Sequence, residues 1–247
     1  MLKEQYQISV WLICIKPVYA ENILKVSAPP SIWVQQQGDV LIGPMVELLD
    51  EIFAGLNIVI KPQELPWARA MDQMKSGELD MIPIIFYTSE RAKYMDFTIS
   101  YMEVPTAVFV PPGKPFPFKT VRDLKGRQGL MMREDSISAE FEAFESELNI
   151  VKVAKYEQIF NMLGSNRVDY AVAAQYGFLI HARKLGYLNM FEVLPVPVAT
   201  RKLYFAFSKK SRFIKYIPAI NSKLKQLKDN GTIDKIVDKA IRQAAGK

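Results

Sequence analysis

The chain is poor in the residues that do most covalent and metal chemistry. Its 247 residues include one cysteine, Cys14, and one histidine, His181. A single cysteine forms no intrachain disulfide, and it cannot build a thiolate metal site with one histidine as its only nitrogen partner. His181 lies between Ile180 and Ala182 in a stretch read as helix, where a lone histidine is usually structural or exposed. It is therefore given no catalytic role, despite its suitable intrinsic pKa. No H-E-x-x-H, G-x-S-x-G or phosphate-cradling glycine loop occurs. The acids are scattered, so neither a metal nor a cofactor is expected, and the chain is read as a non-enzyme. Internal repeats and low-complexity tracts are also lacking. No apolar run reaches the roughly 18 to 20 residues that cross a bilayer.

What is present is ordinary globular composition, 49% hydrophobic and 23% charged, with a formal net charge of +6. The excess of positive charge is mild. Its lysines are spread out and no recognition motif accompanies them, so nucleic acid is not expected as a partner. The N-terminus reads as a signal peptide over residues 1–20. Lys3 begins it, Ile8–Ile15 is its apolar core, and Val18 and Ala20 supply small residues before a cleavage ahead of Glu21. Cys14 would leave with this leader. The preceding Trp11-Leu12-Ile13 lacks the small residue that lipoprotein processing prefers, so a lipid anchor is not favoured. A cysteine-free mature chain suits an oxidising compartment, and the expected location is the periplasm.

Along the chain, strand and helix patterns alternate. Ile23–Ala28 reads as a strand. Gln35–Asp39 reads as a polar turn. Pro44 opens a helix whose apolar residues Val46, Leu49, Ile52 and Phe53 recur at helical spacing before Gly55. A strand at Ile58–Lys61, a helix from Pro66 to Gly77 and an apolar run at Leu79–Ile85 complete the first series. After Pro111-Pro112-Gly113 a second alternating series runs to about Leu185. It is followed by an extended stretch at Leu203–Phe207 and two helices, the last with Thr232 as the expected N-cap. Alternation of this kind predicts parallel α/β sheets.

The stretch Pro66–Tyr101, PWARAMDQMKSGELDMIPIIFYTSERAKYMDFTISY, carries the most information. With GELDMI and TSERAKYMDFTISY inside it, and with TVRDLKG, NRVDYAV and LKDNGTIDKI following in order, the chain resembles the bacterial extracellular solute-binding proteins of family 3 over most of Ile23–Ala240. The resemblance implies a two-lobed type II periplasmic binding fold, each lobe a mostly parallel sheet flanked by helices and joined by two hinge strands. Lobe one would hold 21–101 and 203–247, and lobe two 102–202, with crossings near 101–105 and 198–202. It also implies a monomer that takes a small-molecule ligand between the lobes and delivers it to an inner-membrane ABC-transporter permease. The rival readings are a sensing or scaffold protein of the same fold, and an enzyme of dehydratase type in the same cleft.

The resemblance assigns the ligand's carboxylate to Arg91, and a guanidinium fits that task because its planar fork matches a carboxylate bidentately. The competing reading pairs Arg91 with Glu90, Asp96 or another acid. Trp67 and Trp33 fall where the family places aromatics against the ligand, with Trp67 the stronger candidate. Phe86 stands where amino-acid binders carry small or hydroxyl residues. Ser136 is the candidate hydroxyl and backbone contact on lobe two, and Arg69 a candidate second anion contact. The aspartate that holds an α-ammonium falls at Ala174 or Gln175, and Gln175 can only hydrogen-bond. Half of the α-amino-acid grip is thus missing, which points to an anionic or amino-acid-like organic ligand.

Overall fold

The computed structural model describes residues 22–28, 31–133, 135 and 137–243. The predicted signal peptide therefore lies outside the described residues. In chain order the elements are β1 (Ile23–Val26), β2 (Gln35–Gln37), β3 (Val40–Ile42), α1 (Pro44–Phe53), β4 (Val59–Pro62), α2 (Trp67–Ser76) and β5 (Met81–Phe86). Next come α3 (Ser89–Ala92), β6 (Met95–Phe97), β7 (Met102–Val110), β8 (Gln128–Met132), α4 (Ala139–Phe144), β9 (Asn149–Val153) and α5 (Tyr156–Gly164). Then follow β10 (Tyr170–Ala174), α6 (Gln175–Leu185), β11 (Glu192–Val193), β12 (Ala199–Ser208), α7 (Ile217–Asp229) and α8 (Thr232–Gln243). Among the described residues no helix is long and apolar enough to cross a membrane.

Ten strands form one curled sheet along the path β4-β1-β5-β12-β7-β10-β8-β9, with β6 on β12 and β11 on β7. Its two ends are parallel: β4, β1 and β5 at one, β10, β8 and β9 at the other. Between them β12 and β7 pair antiparallel from Ala199↔Thr106 to Leu203↔Met102. Beyond that pairing β12 continues along β5 and β7 continues along β10, so these two strands alone knit the halves into one sheet.

Local chemistry accounts for the element ends. Pro44 starts α1, where a missing N–H costs nothing, and Gly77 closes α2 in the left-handed conformation at φ 87°. β5 is apolar throughout because both faces are covered. Pro83 sits inside it and has no N–H for the ladder. The register with β12 shifts at that point, between Tyr204 and Ala206. Gln35–Gln37, read as turn, instead pairs with Val40–Ile42 as a two-stranded hairpin. Thr232 is the first residue of α8 rather than its cap, and the Asn230 side chain accepts from the Thr232 N–H at 3.0 Å.

Each half has its own apolar core. One gathers Leu24, Met45, Leu48, Met81 and Phe205 with Ile220, Leu224, Ile233 and Ile236, so α7 and α8 pack back onto the strands of the first half. The other half has a cluster on each face of its sheet, around Phe109, Phe160 and Phe178 on one and Val108, Phe141 and Tyr170 on the other.

Candidate functional site

The turn after β5 builds the site. Thr88 caps the four-residue helix α3, its Oγ1 accepting from the Arg91 N–H at 3.2 Å. The turn brings the Arg91 side chain back towards β5, where Nη1 donates to the Phe86 carbonyl at 2.7 Å. The guanidinium also lies 5.3 Å from the Trp67 ring centroid, within cation–π range. The acids that were candidates to neutralise Arg91 are engaged elsewhere. Glu90 pairs with Lys93 at 2.6 Å and Asp96 with Lys209 at 3.9 Å. Among the described residues Arg91 stands in no ion pair.

Arg91 borders a cavity of about 330 Å³ lined by Ser31, Trp33, Trp67, Ile84, Ile85, Phe86, Arg91, Val104 and Leu203. Four of the sequence-predicted residues, Arg91, Trp67, Phe86 and Trp33, are thus brought to one place. The volume is at the lower end of small-molecule sites. The lining contains no acid. Ser31 is spent on local bonds, since its Oγ accepts from the Trp33 and Val34 N–H groups and donates to the Val34 carbonyl. Among the described residues of the lining Arg91 is therefore the only charged group on an otherwise apolar wall.

Trp33 is 5% exposed and meets the Tyr176 ring edge-on, centroids 5.6 Å apart, which ties the first half to the start of α6. Trp67 is 40% exposed at the start of α2. Gln175 begins α6 and does not line the cavity. Arg69 is exposed on α2, outside the lining. Ser136 lies outside the described residues. Its neighbour Asp135 is half-buried, with Oδ2 fully covered and unbonded, and burial raises its carboxyl above the ordinary range. Asp135 adds to the burial that pushes the Tyr156 hydroxyl up to about 12. The Tyr156 ring stacks on His181 at 4.4 Å. Burial and then Lys184 lower the His181 pKa, with Glu157 acting the other way. Among the described residues no group of three or more His, Cys, Asp or Glu is placed to hold a metal ion.

The residue that sequence reasoning missed is Arg201. Its guanidinium lies 3.6 Å from the Phe86 ring centroid. The available signal was its place in the expected crossing at 198–202, since hinge strands border the cleft they join.

The pattern of the bacterial extracellular solute-binding proteins, family 3, matches residues 23–243. The chain belongs to this family. Among known proteins it is similar to the probable amino-acid-binding protein YxeM of Bacillus subtilis (strain 168), 22% identical over 228 residues, 90% of this chain and 85% of that one. Its fold matches the L-cystine solute receptor of Neisseria gonorrhoeae in the unliganded open conformation, with TM-score 0.70, 17% identity, and coverage of 92% of this chain and 94% of that one. It also matches a histidine kinase sensor domain with similarity to periplasmic binding proteins, with TM-score 0.58, 21% identity, and coverage of 87% and 94%. The fold is thus the two-lobed type II binding fold, and the family is one of solute-binding proteins rather than enzymes.

Proposed function

We propose that this chain captures a small organic anion between its lobes in the periplasm and delivers it, as a monomer, to an inner-membrane ABC permease. The lobes would comprise 21–101 with 203–247, and 102–202, with crossings near 101–105 and 198–202. One observation carries the reading: an arginine with no acidic partner among the described residues, within cation–π range of an exposed tryptophan, at the edge of an apolar cavity. Arg91 would hold the anionic group, and Trp67, Trp33 and Phe86 would enclose an apolar body. Closure would add Ser136 and Gln175 from the second lobe, and contacts on both lobes favour the closed state. Arg69, exposed and outside the lining, takes no part. An α-ammonium would find no counter-charge on this wall, which favours a non-amino or atypical carboxylate.

The same cleft serves a second reading, presentation of the ligand to a membrane sensor, and the likeness to a kinase sensor domain favours it. Growth of a deletion strain on the ligand separates uptake from sensing. The first test is a thermal-shift screen of amino acids, short peptides, dicarboxylates and polyamines against the protein and Arg91→Ala. A carboxylate should raise Tm in the parent by mass action. Arg91→Ala should weaken it by about 1.5–3 kcal/mol, the worth of a hydrogen bond to a charged group. A hit of equal strength in Arg91→Ala would sink the reading.

A further inference from the structure

We infer that the ligand carries two separated anionic groups, the first held by Arg91 and the second by Arg201, with Phe86 as the post between them. This deepens the reading of Arg91 and rests on it. The geometry begins with β12. Arg201 and Leu203 are two apart on one strand and so share a face, and Leu203 lines the cavity. The cross-strand partner of Arg201 is Val104, which lines it too. Arg201 therefore stands on the cavity side of the crossing.

Phe86 fixes both cations, its carbonyl accepting from Arg91 and its ring lying 3.6 Å from the Arg201 guanidinium. Beyond Phe86 opens a second hollow of about 270 Å³, bordered by Tyr87, Arg201, Lys202 and Tyr204. Lys202 is offset by Glu103 at 3.7 Å, whereas Arg201 stands in no such pair among the described residues. Burial and then the field of Arg91 lower the Arg201 pKa, while Glu142 acts the other way. Two guanidiniums that repel each other beside one apolar post, with no acid among the described residues of either lining and Glu142 acting on Arg201 from outside them, form a site prepared for negative charge at both ends. A zwitterion satisfies one end only.

The test is calorimetric titration with malonate, succinate, glutarate and adipate, each beside its monoacid of equal length. 3-Phosphonopropionate is added to tell a dicarboxylate from a phosphonate or phosphate ligand. The proteins are the parent, Arg91→Ala and Arg201→Gln. One diacid, or the phosphonate, should bind about tenfold or more tighter than its monoacid, the factor expected of one charged hydrogen bond. Arg201→Gln should erase that advantage and leave the monoacid within about twofold, and Arg91→Ala should weaken both. The dianion affinity should also fall more steeply with added salt than the monoacid's. Equal binding of diacids and monoacids, or a diacid indifferent to Arg201→Gln, overturns the second anion contact and leaves Arg91 standing. Binding of neither class, or binding indifferent to Arg91→Ala, overturns both readings.

Discussion

The two halves of the sheet carry an aspartate in the same place and use it alike. Asp80 precedes β5, and Asp169 precedes β10. The Asp80 N–H donates to the Lys25 carbonyl at 3.1 Å while Oδ2 accepts from the Lys25 N–H at 2.9 Å. The Asp169 N–H donates to the Gln128 carbonyl and its Oδ2 accepts from the Gln128 N–H, both at 2.8 Å. Each aspartate thus sets the register of its strand against the parallel neighbour. The surfaces that flank the cleft differ instead. The first half presents Arg91, Trp67 and an acid-free apolar wall. The second half holds, away from that lining, Asp135, Tyr156 and His181, where a half-buried carboxyl lacks a bond to Oδ2 among the described residues. What the halves share makes the fold, and what they do not share is where the proposed reading puts ligand choice.

The largest effect in that comparison is expected from the aspartates themselves. Asp80 has a further bond, since its Oδ1 accepts from the Ser211 hydroxyl at 2.7 Å. Asp80→Ala should cost about 2 kcal/mol and Asp169→Ala about 1 kcal/mol, at roughly 1 kcal/mol per net hydrogen bond. Urea unfolding measures both, and equal losses would break the assigned difference.

Next come two buried tyrosines, Tyr101 just before β7 and Tyr170 in β10. The Tyr101 hydroxyl donates to the Pro83 carbonyl at 3.0 Å, while the Tyr170 hydroxyl is buried with no partner among the described residues. Tyr101→Phe should therefore destabilise by about 1 kcal/mol and leave an orphaned carbonyl. Tyr170→Phe should be neutral or stabilising by a few tenths, since it removes an unmet donor. Paired Tm measurements check the sign, and a destabilised Tyr170→Phe contradicts the account.

The smallest effect is on the pH profile. Burial raises the Asp135 carboxyl above its ordinary 3.8, so the folded state holds that proton longer than the unfolded chain. Its contribution is complete below 3.8 and is lost as pH rises through the folded value. Asp135→Asn should remove that loss and raise stability at neutral pH by less than about 1 kcal/mol, because half-exposure screens the charge. His181, with a lowered pKa, acts oppositely and loses stability as pH falls. Comparing variant with parent at each pH cancels its contribution. An unchanged difference from pH 3 to 7 would remove Asp135 as the source.

Several features were legible in the residues. The helical spacing before Gly55 and the apolar run of β5 each depend on neighbours within a few positions, and each formed as read. The convergence of Arg91, Trp67, Phe86 and Trp33 followed from the family pattern. The β2–β3 hairpin was not legible, because glutamines have no strand preference of their own and cross-strand bonds decide the matter. Arg201 was invisible for a related reason. Its place by Phe86 comes from antiparallel pairing of residues about a hundred positions apart in the sequence.

The sequence by itself determined the alternating elements and the family, because periodicity, caps and composition are local or additive. The tertiary structure alone decided which charges stand unpaired. Glu90 and Asp96 are the nearest acids to Arg91 along the chain, yet Lys93 and Lys209 take them. Pairing depends on separation in space, and folding sets that separation only when distant strands meet.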